Sequence, residues 1–129
     1  MILLDANVLI ALFKIDDSQH DKAVKLFYEL IKTQTLVGIP EYVLVEVCTV
    51  LSQRADKPLA NVCVERIQQN ALIQIMPSSE QFFTAVLDYF MQETHTGLSF
   101  TDVSLLYLSR THTILTFDER LKRAIKKSV

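Results

Sequence analysis

Four acidic residues, Asp5, Glu46, Asp102 and Asp118, occupy positions where a carboxylate is awkward unless it has work to do. Asp5 interrupts the aliphatic opening MILLDANVLI, and Glu46 lies inside PEYVLVEV among Val43, Leu44, Val45 and Val47. Asp102 comes early in SFTDVSLL, and Asp118 closes TILTFD. A carboxylate in apolar surroundings is costly to ionise unless a cation or hydrogen-bond donors meet it. Each acid also has an ordinary reading. Asp5 and Asp118 can cap the helices that follow them, Asp102 can complement a helix dipole, and Glu46 can pair with Arg54 or another base.

What separates these readings is where the chain's elements carry the four acids. Short apolar runs at 2–4, 36–39, 72–76 and 114–117 have strand length and are apolar on both faces, as strands covered on two sides should be. Helical patterns lie between them. Asp17 or Ser18 can cap a first clear helix that aligns Ala23, Leu26, Phe27, Leu30 and Ile31, and Pro40 suits the first turn of a helix through EYVLVEVCTVLSQR. Pro58 opens a third, and Ser78 with Gln81 forms a capping box for a fourth that Gly97 stops. Ser99 caps a fifth, with Asp102 in its first turn. Phe82, Phe83 and Phe90, at helical spacing, read as core rather than as stacking platforms.

Strands alternating with helices predict an α/β fold, a three-layer α/β/α sandwich around a parallel sheet of about four to five strands. Nothing marks a domain boundary, so residues 1–129 are expected to form a single domain, long enough to bury a core without disulfides. In such sheets the site lies beyond the carboxyl ends of the strands, where Asp5 and Asp118 meet if their strands are neighbours. Four carboxylates gathered there would repel by about 4 kcal/mol per pair at about 4 Å in an effective dielectric of about 20. A positive charge must occupy the middle. An all-oxygen donor set with no matching His or Cys selects Mg²⁺ or Mn²⁺ over zinc.

Composition removes other classes. Charged residues are 22% of the chain and half is hydrophobic, so the chain is globular rather than disordered. The acid at position five argues against a signal peptide or a membrane span. Cys48 and Cys63, each flanked by apolar residues, read as reduced thiols of a cytoplasmic protein. Only Gly38 and Gly97 are present, too few for a phosphate-wrapping loop. His20, His95 and His112 are scattered, and there is no GxSxG. A phosphorylation receiver would want paired acids after its first strand and an Asp after its third, where this chain has PSSEQ.

The net charge of −2 attracts no nucleic acid globally, but Arg120, Lys122, Arg123, Lys126 and Lys127 crowd the last stretch and form a possible phosphate-contacting patch. The alternative is a solvated helix face. A mean hydropathy of +0.23 leaves apolar surface for a subunit or partner interface.

Asp5-Ala6-Asn7 after a first strand, Glu46 inside PEYVLVEV, Asp102 in LSFTDVSLL and Thr116-Phe117-Asp118 after a last strand resemble the PIN-domain nucleases, and among them the small toxin ribonucleases of the VapC type. The resemblance spans nearly the whole chain. It implies metal binding and catalysis by Asp5, Glu46, Asp102 and Asp118, with Asn7 and Thr116 supporting the site. It also implies RNA as substrate, water as the nucleophile, and products with a 5′-phosphate and a 3′-hydroxyl. A homodimer and a cognate antitoxin that offers a basic residue to the acids follow from the same likeness. Many relatives carry a further short strand after the last helix, where this sequence has KKSV, so the resemblance does not determine the final edge of the sheet, though it removes no acid. The rival expectation is a PIN-like module that binds RNA or protein without cutting.

Overall fold

A computed structural model describes residues 1–128. The chain runs β1 (Ile2–Leu4), α1 (Ala6–Phe13), α2 (His20–Lys32), β2 (Val37–Pro40), α3 (Glu41–Arg54), α4 (Lys57–Gln69), β3 (Ile73–Met76), α5 (Glu80–Gln92), α6 (Phe100–Leu108), β4 (Thr113–Leu115) and α7 (Glu119–Lys127). Among the described residues four strands form one parallel sheet in the order β3-β2-β1-β4, at the lower end of the expected range.

That order determines the layers. From β1 the chain moves outward through β2 to β3, with α1 packed on both α2 and α3 and α3 on α4. It then returns across the sheet to β4, with α5 packed on α6 and α6 on α7. Right-handed crossovers running in opposite directions must lie on opposite faces, so the sheet is sandwiched. The direction reverses between β1 and β4, which opens a crevice at their carboxyl ends.

The core cluster joins Leu4, Ile39, Val43, Val47, Leu51, Leu105 and Leu121, so both strand and helix residues contribute. On β2, Gly38 has no room for a side chain: a Cβ there would stand 2.6 Å from Leu3 Cδ2 and 2.7 Å from the sulfurs of Met1 and Met76.

Local signals moved in five places. Residues 6–13 form a helix that their nearly unbroken apolar run conceals, because periodicity cannot distinguish a buried helix from a buried strand. Pro40 ends β2 and stands just before α3 rather than inside its first turn. The cap of α2 is Gln19 without a side-chain bond, since Asp17 Oδ1 accepts instead from the Gln19 N–H. Ser79, not Ser78, caps α5 by accepting from the Phe82 N–H, and the capping box belongs to Ser99 and Asp102. Gly97 does not stop α5, which ends at Gln92; it turns the following loop at a φ of 86°.

Phe82, Phe83 and Phe90 are only partly core. Phe83 and Phe90 pack on Phe100, and Phe82 packs against Tyr42 and Tyr107, yet Phe83 and Phe90 remain 45% and 42% exposed.

Candidate active site

β1 pairs with β4 in the register Ile2 with Thr113 and Leu4 with Leu115, so the residues that follow the two strands emerge side by side. The Asp5 N–H continues the ladder by donating to the Leu115 carbonyl at 2.9 Å. Asp5, Asn7, Thr116 and Asp118 are thereby brought together, although more than a hundred residues separate the pairs.

Their side chains form one network. Asp5 Oδ1 accepts from the Ala6 N–H at 2.7 Å and caps α1, while Oδ2 accepts from Thr116 Oγ1 at 2.7 Å and from Asn7 Nδ2 at 3.3 Å. Asn7 Nδ2 also donates to Thr116 Oγ1, and its Oδ1 accepts from the Phe117 N–H at 3.0 Å. The Asp118 N–H donates to Thr116 Oγ1 at 3.0 Å. Thr116 is thus the hub between both chain segments. Its buried hydroxyl donates once and accepts twice, which uses its full capacity.

Glu46 and Asp102 complete the enclosure. A cleft of about 470 Å³ is lined by Asp5, Asn7, Glu46, Asp102 and Asp118 together. Asp118 Oδ1 accepts from the Arg120 and Leu121 N–H groups at the start of α7, and Asp102 Oδ2 accepts from the Ser99 N–H in the capping box of α6. Helices α1, α6 and α7 therefore all begin at the cleft, and their positive ends offset part of the carboxylate charge. The helix-capping readings and the clustering of acids are both true at once. Glu46 has no hydrogen bond and no ion pair among the described residues, so the pairing with Arg54 does not form.

Burial pushes the Asp5 carboxyl up to about 6, against the opposing hydrogen bonds from Thr116 and Ala6, and the charges of Asp102 and Glu46 push it further the same way. Glu46, which keeps solvent access, is also raised, first by partial burial of its carboxylate and then by Asp102. These shifts identify an electrostatic field shared by three acids. A set of carboxylate oxygens without a paired protein cation suits a hard divalent ion. As they stand, no three His, Cys, Asp or Glu side chains among the described residues are close enough to enclose one.

Sequence reasoning missed Asp17, Ser99 and Arg54 as cleft residues. The signal for Arg54 was present: Glu46, Val50 and Arg54 recur every four residues along α3, and all three line the cleft. Of the five basic residues near the C-terminus none lines this cleft. Arg120 instead stacks its guanidinium against the open side of Gly97, where a Cβ would collide with Nη1.

Among solved structures, Mycobacterium tuberculosis VapC20, a toxin that cleaves the sarcin–ricin loop, superimposes with a TM-score of 0.82 at 17% identity, covering 96% of this chain and 95% of that one. PAE2754 from Pyrobaculum aerophilum superimposes with a TM-score of 0.66 at 20% identity, covering 97% of this chain and 79% of that one. At such identities the likeness is one of fold. No curated protein matches the sequence. The family model of the PIN domain matches residues 2–127, and with nearly the whole chain accounted for, this protein belongs to the PIN-domain family.

Proposed function

We propose that residues 1–129 act as one nuclease domain, an Mg²⁺- or Mn²⁺-dependent endoribonuclease that serves as the toxin of a toxin–antitoxin pair in the cytoplasm. One observation carries the reading: four acids from four separate elements line a single cleft, and none of them is ion-paired to a protein cation among the described residues.

Asp5, Glu46, Asp102 and Asp118 would hold the cation. When bound, it supplies positive charge against the phosphodiester and acidity that makes a water nucleophilic near neutral pH. The chain's own part is positioning. Thr116 and Asn7 clamp Asp5 Oδ2, while the helix caps of Asp102 and Asp118 engage one oxygen each and leave the other without a donor among the described residues. Arg54, on the cleft wall, neutralises phosphate oxygen that the acids would otherwise repel. Water attacks the phosphorus in line, and the bond to the 3′ oxygen breaks, leaving a 5′-phosphate and a 3′-hydroxyl.

Two partners follow. An acidic cleft without its cation accepts an Arg from an inhibitory protein, whose planar guanidinium matches carboxylates. A homodimer gives cover to the outer face of α5, where Phe83, Leu87, Phe90 and Met91 are exposed at helical spacing. The likeness to VapC20, itself a toxin, supports the toxin reading, and the RNA target of VapC20 stays with that protein. Free Cys48 and Cys63 are compatible with a reducing compartment, and no helix among the described residues is long and apolar enough to cross a membrane.

A non-catalytic RNA- or protein-binding module is the second reading, favoured by the spread of the acids, which do not enclose an ion without moving. Incubation with a mixed, structured RNA pool in Mg²⁺ or Mn²⁺ separates the two. Cleavage that both a chelator and Asp5→Asn abolish supports the nuclease; metal binding with no cleavage of any RNA favours the module.

A further inference from the structure

An acidic cleft repels a polyanion, so a nuclease built on one needs cationic surface beside it. The tail patch does not supply this inside the cleft, because none of its five residues lines it. Two of them, Lys122 and Lys126, instead line a groove of about 600 Å³ along the open edge of β4, and Lys22 and Lys25 of α2 line the opposite wall. Within each helix the pairs are three or four residues apart and share a face. Four lysines line it against one lining acid, Glu29, with Lys122 also 3.3 Å from Glu119, in a chain whose net charge is −2. The floor is apolar and includes Ile114 and Phe117.

Phe117 joins this groove to the active-site cleft, since it lines both and lies between Thr116 and Asp118. The Lys22 ammonium sits 5.0 Å above its ring centroid. A strand leaving the acids past Phe117 therefore meets an aromatic ring and then the lysines of both walls.

We propose that this β4-edge groove is the track for single-stranded RNA flanking the scissile phosphate, with Lys22, Lys25, Lys122 and Lys126 meeting backbone phosphates and Phe117 receiving a base. The proposal rests on the nuclease reading and deepens it. Charge decides the occupant: an excess of lysines over an apolar floor with an aromatic edge is the pairing that binds single strands without reading sequence. An acidic extended peptide added to the β4 edge is the competing occupant.

The test measures anisotropy of a labelled oligouridylate of about a dozen nucleotides. It uses the full chain in chelator, so that nothing is cleaved, across a range of salt. Lys22→Ala/Lys25→Ala removes two contacts from one wall, and Lys126→Ala removes one from the other. Lys32→Ala/Lys57→Ala removes the same charge from residues that line neither cleft. At about 0.7 of salt slope per single-strand contact, the first variant should lose about 1.4 in slope and about 25-fold in affinity near 0.1 M salt. Lys126→Ala should lose about half that slope, and the control should match wild type. Equal losses in the control, or no loss in the groove variants, overturn the proposal. So does lysine-dependent capture of an acidic peptide by a groove to which RNA is indifferent. Binding that needs the groove lysines, alongside no cleavage of any RNA in metal, keeps the groove and removes the nuclease reading. Cleavage with lysine-independent binding does the reverse.

Discussion

The Thr116 hydroxyl donates to Asp5 Oδ2 at 2.7 Å, and the two residues follow different strands at the point where the sheet changes direction. That bond ties the first strand to the last and sets the orientation of the most deeply buried acid in the cleft. It lowers the cost of keeping Asp5 ionised, which burial raises.

Thr116→Val retains the shape of the side chain and removes the hub. The Asp5 carboxylate loses a donor, and the Asp118 N–H and Asn7 Nδ2 lose an acceptor. Destabilisation of about 2–3 kcal/mol is expected in urea unfolding at neutral pH, with Thr116→Ser recovering most of it. Equal stability of the Val variant and wild type would show that the hydroxyl is not the joint between the strands.

Asp5 also gives stability a pH dependence. Its carboxyl lies near 6 in the folded chain against 3.8 ordinarily, so between those values the folded state holds the extra proton. Stability from this group is complete below about pH 4 and falls as pH rises through 6. The fall totals about 3 kcal/mol, at about 1.4 kcal/mol for each pH unit between the two values. Asp5→Asn cannot ionise, so its unfolding free energy in chelator should lack this decline. Because the amide also gives up an acceptor for the Thr116 hydroxyl, a net gain of about 1–2 kcal/mol over wild type is expected at pH 7. Parallel pH profiles for the two proteins would contradict it.

Divalent metal should restore what ionised carboxylates cost one another. With Mn²⁺ at about ten times its dissociation constant, wild type gains about 1.4 kcal/mol, which thermal melting reads as a rise of a few degrees. Glu46→Gln removes one donor charge from the cleft and should blunt that rise while leaving the chelator-treated protein as stable as wild type or slightly more so. The same variant should cleave RNA at least about 100-fold more slowly, since one less carboxylate holds the cation. An undiminished melting shift would exclude Glu46 from the metal set.

Cys63 provides an independent check on the packing of α4. It is fully buried, and burial, followed by the nearby Cys48 thiol, pushes its own thiol up to about 12, so almost no thiolate is present at neutral pH. An aromatic disulfide reagent should leave Cys63 unmodified in the native protein and modify it promptly in denaturant. Rapid native labelling, located by peptide mapping, would mean that α4 opens.

Much of the architecture was legible because it rests on local chemistry. Alternating apolar runs and helical patterns marked all four strands and six of the seven helices, and Ser99 caps α6 as its local sequence indicated, whereas α5 is capped by Ser79 rather than Ser78. The exception, α1, has too few polar residues to show a helical period; its start depends on Asp5 as cap and its persistence on burial against α2 and α3. Gly97 misled for a related reason, since a positive φ serves a loop as well as a helix end.

The site divides in the same way. By itself the sequence determined that Asp5, Glu46, Asp102 and Asp118 are acids out of place, because an ionised group in an apolar run carries its cost in its immediate neighbours. It also determined that Asp5 follows the first strand, and it placed Asp118 directly after the last, which in fact ends three residues earlier at Leu115. Only the tertiary structure decided that those strands are adjacent, that Thr116 bonds to both acids, and that Lys22 and Lys25 face Lys122 and Lys126 across an open sheet edge. Strand order and the meeting of distant helices are set by how the whole core closes, and no window of sequence contains that sum.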